Sequence, residues 1–169
     1  MREFTLNENW RLIYRGSRDG FGAKKFHEKC DGNSVDEHPT LTLFKAKESG
    51  FIFGGFTNES WFSSEMRHKE DPKAFIFSLT NRDNRPCKMK TSNPAESICC
   101  LPKNGPIFGS GLGPGDIIIA DNANVERSFS YLGRIYKHSN YILGSIEAND
   151  FLAGSCEFKL EEIEVFERV

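Results

Sequence analysis

The sequence has no long apolar run. No segment approaches the ~20 consecutive apolar residues that a membrane-spanning helix needs. It also lacks a cationic excess: the formal net charge is −2, with acidic and basic residues interspersed, so the basic footprint of a nucleic-acid binder is missing. The first ten residues, MREFTLNENW, lack the apolar core of a secretory signal. Cysteine is present but unorganised. Five cysteines, an odd number at irregular spacing, make no disulfide framework, and a reducing compartment such as the cytoplasm or nucleus is expected.

Several catalytic signatures are missing as well. There is no G-x-S-x-G, and Ser17, Ser110, Ser145 and Ser155 each suit a turn or cap. Asp31, Asp36 and Glu37 do not follow an EF-hand pattern and read as a solvated acidic loop. The glycine-rich run 109–115 (GSGLGPG) precedes a strand and carries no G-K-[ST]. A phosphate loop should follow a strand and open onto a helix, so a connecting loop is the better reading. His27 and Cys30 could share a metal, but no second ligand pair has zinc spacing. His38 and His138 have no evident partner. Cys99 and Cys100 are adjacent, unlike the C-x-x-C of thiol oxidoreductases. Together with Cys87 they are the candidates for an exposed, oxidisable thiol, whereas Cys30 and Cys156 read as small buried apolar residues.

What the sequence does have is phenylalanine, 15 in 169 residues, which points to an aromatic core built on sheets. Residues 40–57 (TLTLFKAKESGFIFGGFT) give two β-rich runs around a polar, glycine-bearing connection. Neither run has a purely polar face, so this hairpin is expected to be central and covered on both sides. Gly54-Gly55 within the second run marks a place where something bulky lies against the backbone, Trp61 being the nearest candidate. Trp61 has an alternative reading as an exposed anchor for a partner.

Further strands are expected at 7–15, 74–80, from 87 and at 116–121, while 97–101 reads as a short apolar run and 128–136 is undecided. The alternation in 155–169 slips at Glu161-Glu162, which predicts a bulge, since a period-2 strand cannot otherwise change faces. Residues 21–30 read as a short helix with Ala23, Phe26 and Cys30 on its inner face, stopped by Gly32 in a left-handed conformation. Residues 16–20 read as a turn and 33–38 as a polar loop. Ser145 caps a second helix through 152, ended by Gly154. No repeat or linker interrupts the chain, and one domain spanning 1–169 is expected.

The ordered pieces 12–32 (LIYRGSRDGFGAKKFHEKCDG), 39–46 (PTLTLFKA), IFGGFT with Trp61, 69–81, GPIFG, GDIIIADNAN, SFSYLGRIY and 147–166 (EANDFLAGSCEFKLEEIEVF) together resemble the TLDc domain of the eukaryotic oxidation-resistance proteins. The resemblance implies a two-sheet, mostly antiparallel β-sandwich with two or three short α-helices packed outside. It also implies a non-catalytic module without cofactor, located in the cytoplasm, that protects against oxidative stress by binding a protein partner such as the vacuolar-type proton pump. The family brings no settled catalytic residues, and neither the TBC nor the LysM domain is present. Arg15, Arg18, Asp19 and Glu147 are the partner-binding candidates, as charges presented at turns and helix starts. Two alternatives stand beside this reading: direct consumption of oxidant through Cys99 or Cys100, and an interaction domain within a longer multidomain protein.

Overall fold

The computed structural model describes residues 9–32, 37–110 and 113–169. Strand β1 (Trp10–Arg15) runs directly into a one-turn helix α1 (Gly16–Asp19), and α2 (Ala23–Cys30) follows. The hairpin is β2 (Glu37–Ala46) and β3 (Ile52–Glu59); then come β4 (Arg67–Lys69), β5 (Phe75–Ser78), β6 (Cys87–Lys90) and β7 (Ile98–Cys100). Short strands β8 (Ile107–Phe108), β9 (Ile117–Ile118) and β10 (Ser128–Phe129) precede helix α3 (Ile146–Asp150), and β11 (Glu157–Phe158) and β12 (Leu160–Arg168) close the chain.

Two antiparallel six-stranded sheets result, ordered β1-β12-β2-β3-β5-β6 and β11-β10-β9-β8-β7-β4. The hairpin occupies the middle of the first sheet, as its apolar faces require. Its two faces are not equally covered. Thr40, Thr42, Phe44 and Ala46 are buried against the second sheet, while Leu41 and Leu43 on the other face are only half-buried. Cross-strand aromatic pairs fill that outer face instead: Phe56 stacks on Phe75 at 5.1 Å and meets Trp10 edge-on at 6.3 Å.

Gly55 marks the close approach of the two sheets, while Gly54 is crowded within its own sheet. A Cβ on Gly55 would come within 2.4 Å of the Phe108 ring, and one on Gly54 within 2.0 Å of the Thr42 carbonyl. Phe108 of β8 therefore covers Gly55, and Phe77 of β5 lies over Gly54, so Trp61 covers neither. Trp61 backs Phe108 edge-on at 5.6 Å, is fully buried, and donates from Nε1 to Thr40 Oγ1 at 3.0 Å. This excludes it as an exposed anchor.

The slip in the last segment appears as a register shift between Leu160 and Glu162 against β2. It keeps both Leu160 and Ile163 buried. Helix α2 buries Ala23, Phe26 and Cys30 as expected, and His27 too. Gly32 does not stop it in a left-handed conformation, for it is absent from the residues with positive φ. Asp31 leaves the helix in extended conformation, and Gly32 is required because a Cβ there would meet His38 at 2.8 Å. Residues 33–36 of the expected polar loop, Asp36 included, lie outside the described residues, as do 7 and 8 of the expected first strand and 111 and 112 of the glycine run. Glu37 and His38 already belong to β2. Strand β4, in a stretch that reads as loop, pairs with β7 through Arg67–Cys100 and Lys69–Ile98.

Candidate functional site

Three of the four charged candidates meet at the β1–α1 corner. Arg18 forks onto Asp19, with Nε 2.9 Å from Oδ1 and Nη2 2.7 Å from Oδ2. The Arg15 backbone N–H donates to Asp19 Oδ2 at 3.0 Å, and its guanidinium pairs with Glu164 at 2.6 Å. The Arg18 hydrogen bond holds the Asp19 carboxyl down at about 2. Ser17 is engaged by Glu162, the residue just past the bulge. These charges satisfy one another and stitch the corner to β12. Glu147 does not join them: it is exposed in the first turn of α3, where a carboxylate suits the helix N-terminus.

The two thiol candidates are inside. Cys99 and Cys100 are 0% and 1% exposed in β7, a strand paired on both edges and covered on both faces. Burial pushes the Cys100 thiol up to about 12, far from the thiolate that reacts with oxidant. The expectation of an exposed Cys99 or Cys100 is thus overturned. Their run of three buried residues cannot be told from an accessible segment by composition alone. Cys30 is buried as expected, whereas Cys156 is only half-buried, at the end of a loop leading into β11.

His27 is committed to structure. Its Nδ1 lies 2.6 Å from Asp31 Oδ1, and its Nε2 lies 3.1 and 3.0 Å from the Leu101 and Asn104 carbonyls. Carboxylate and carbonyls only accept, so both ring nitrogens act as donors when the ring is protonated. Burial disfavours that charge, but Asp31 and the two carbonyls outweigh it and raise the pKa. With both nitrogens occupied, His27 has none left for a metal shared with Cys30. His38 also has a partner, with Nε2 2.8 Å from Glu167.

The remaining feature is on the outside. A cavity of about 530 Å³ is lined by Asp83, Arg85, Cys87, His138, Tyr141 and Phe151, among others. Tyr141 donates its hydroxyl to Asp83 at 2.7 Å. The His138 ring lies 4.7 Å from Tyr141 and 4.8 Å from Phe151, and burial lowers its pKa, so it is neutral near pH 7. Burial raises the Cys87 thiol, a hydrogen bond from the Ser78 backbone opposing and Asp83 adding to the rise. No cation acts to lower it.

Tyr141 leads from this cavity into a turn in which Ser145 N–H donates to the Ile142 carbonyl at 3.0 Å and Gly144 has φ +83°. A type II turn needs glycine at that position. The turn holds Ile142, Leu143 and Ile146 out in solvent, at 80%, 55% and 74% exposure. Three apolar side chains this exposed within five residues form a patch, unlike singly scattered ones. The sequence carried one signal for it: α3 buries Ala148 and is followed by buried Phe151 and Leu152, and Ile146 falls off that face.

The base of the turn is clamped from within. Asp116, fully buried, accepts from the backbone N–H groups of Gly133 at 2.9 Å, Ile135 at 2.9 Å and Tyr136 at 3.1 Å. Burial pushes its carboxyl up to about 6 against the pull of those donors. Gly133 in turn lies under Leu143, since a Cβ there would be 3.3 Å from Leu143 Cα.

The family model of the TLDc domain matches residues 1–169. The chain belongs to the TLDc family. Among curated proteins, the MTOR-associated protein MEAK7 of Xenopus laevis is 30% identical over 79 residues, which are 47% of this chain and 16% of that protein. The MEAK7 of Gallus gallus is 31% identical over 74 residues, 44% of this chain and 14% of its own length. The TLDc chain thus matches only a small part of either relative.

In this TLDc domain the candidate cysteines and the charged corner are absorbed into the fold, while an apolar turn with an adjoining aromatic cavity faces outward. Such an arrangement suits contact with another macromolecule. No helix among the described residues is long and apolar enough to cross a membrane.

Proposed function

We propose that this TLDc domain is a non-catalytic regulatory module that binds the vacuolar-type proton pump in the cytoplasm and through it supports resistance to oxidative stress. One observation carries the reading: Cys99, Cys100 and the Arg15–Arg18–Asp19 corner are tied up in packing or ion pairs, whereas Ile142, Leu143 and Ile146 are presented to solvent. Family membership supports a regulatory or interaction role. The five free cysteines fit a reducing compartment.

The test is direct binding of the purified domain to the purified catalytic sector of the pump, with ATP hydrolysis recorded in parallel. Saturable binding with an altered hydrolysis rate is expected. Absence of saturation up to about 10 µM, a weak-interaction limit, refutes the pump as partner. A complex containing mTOR is the second partner to assay, because both MEAK7 relatives are named as MTOR-associated.

A further inference from the structure

We propose that the cavity between the loops 81–87 and 138–141 is a binding site for a small aromatic carboxylic acid in its anionic form. The site is separate from the partner-binding reading, and either can fail without the other. At about 530 Å³ the cavity falls within the size range of small-molecule sites. Asp83, Arg85 and Cys87 line it from one loop, and His138, Tyr141 and Phe151 from the other side.

Its aromatic wall is continuous. The rings of His138, Tyr141 and Phe151 approach one another pairwise, with centroids 4.7, 4.8 and 5.1 Å apart. Phe151 is buried, while His138 and Tyr141 are half-buried. A planar ring finds there the offset or edge-on contacts that aromatic pairs prefer. Both loops are held in place before any ligand arrives. Asn81 donates from Nδ2 to the Ser78 hydroxyl at 2.8 Å and to the Arg85 carbonyl at 2.9 Å. Its Oδ1 accepts from the Asp83 N–H at 3.0 Å, and the Tyr141 hydroxyl ties Asp83 to the opposite wall. Little ordering is therefore lost on binding.

The polar groups left over are donors. His138 Nδ1 accepts from the Asn140 N–H at 3.2 Å, so the proton of the neutral ring sits on Nε2. That N–H has no partner among the described residues. The Arg85 guanidinium has none either, since only the Arg85 backbone is hydrogen-bonded. Asp83, the one carboxylate in the lining, already accepts from Tyr141. A guanidinium and an imidazole N–H without acceptors, beside an aromatic wall, suit a ring that carries a carboxylate.

The probe is phenylacetate, titrated at neutral pH into the isotope-labelled domain while backbone amide shifts are followed by NMR. Saturable shifts confined to 81–87 and 138–151 are expected, with Kd about 1 mM. Arg85→Gln should weaken binding about 5- to 10-fold, and His138→Phe, which keeps the ring and loses the N–H, about 3-fold. Phenylacetamide and cyclohexylacetate should each bind about 5-fold more weakly than phenylacetate. Both substituted side chains lie at the surface, so the variants' spectra should match the wild type outside the two loops. No saturation up to about 20 mM overturns the site, as do shifts that map elsewhere or that acetate alone reproduces. Undiminished binding by Arg85→Gln and of phenylacetamide overturns the anion, and undiminished binding of cyclohexylacetate overturns the aromatic wall. Tighter binding of N-acetylphenylalanine than of phenylacetate overturns the free acid in favour of a peptide terminus.

Discussion

Replacing Asp116 by Asn removes one charge from a buried carboxylate that accepts three backbone N–H bonds, at 2.9, 2.9 and 3.1 Å. The amide oxygen can keep the donors on one side. Its NH₂ must then face a backbone N–H on the other, so one charge-assisted bond becomes a donor opposed to a donor. Losing one such bond and leaving a buried donor unpaired costs about 2–4 kcal/mol. For a domain of this size that corresponds to a melting point lower by roughly 5–15 °C. The pH dependence tests the cause. The folded carboxyl titrates near 6, above its usual ~3.9 in an unfolded chain, so the folded state binds more protons between those values. Stability from this group is therefore greatest below about 4 and declines as pH rises through 6. The stability difference between wild type and Asp116→Asn should grow by about 2 kcal/mol on going from pH 7 to pH 4. Urea denaturation at several pH values measures it. A difference that shrinks toward acid would show that the N–H groups dominate over burial, and no destabilisation at pH 7 would refute the clamp.

Three further outcomes are expected. Gly55→Ala should destabilise by about 1–3 kcal/mol in urea denaturation, because the new methyl would sit 2.4 Å from Phe108. Iodoacetamide labelling of the native domain at neutral pH, followed by mass spectrometry, should modify the half-buried Cys87 and Cys156 first and reach Cys30, Cys99 and Cys100 only on unfolding; a Cys99 or Cys100 as fast as a free thiol would revive oxidant consumption. His27→Gln should remove a stability increment that is fully present below pH 6.5 and lost as pH rises through the raised folded pKa, visible as a flatter stability profile above pH 6.5.

The legible parts of this fold were those where a local pattern had a local cause. Alternation placed β2, β3 and β5, and the broken alternation at Glu161-Glu162 placed the bulge, because side-chain period ties register to burial. Ser145 as a cap was legible for the same reason: its hydroxyl accepts from Ala148 N–H three residues on. What the sequence hid depended on distant partners. The two-residue strands β8 and β10 are too short to show a period, whereas β9 lies within the expected strand 116–121, and β4 exists only because β7 lies beside it. Cys99 and Cys100 could not be told from surface thiols without knowing that their strand is paired on both edges. Of the charged candidates, Arg15, Arg18 and Asp19 are neighbours in sequence, but their pairing involves Glu164, far along the chain. The outward turn was missed because isoleucine and leucine read as interior residues unless the helix face beside them is mapped.

Strands β1 and β12 lie side by side, Trp10 opposite Arg168, and Val169 N–H reaches back to the Asn9 carbonyl at 2.9 Å. Polypeptide entering at residue 9 and leaving at residue 169 therefore passes through a single doorway. A unit hung in this way can be spliced into a host polypeptide without stretching it, since the gap to be bridged is about one strand spacing, ~5 Å.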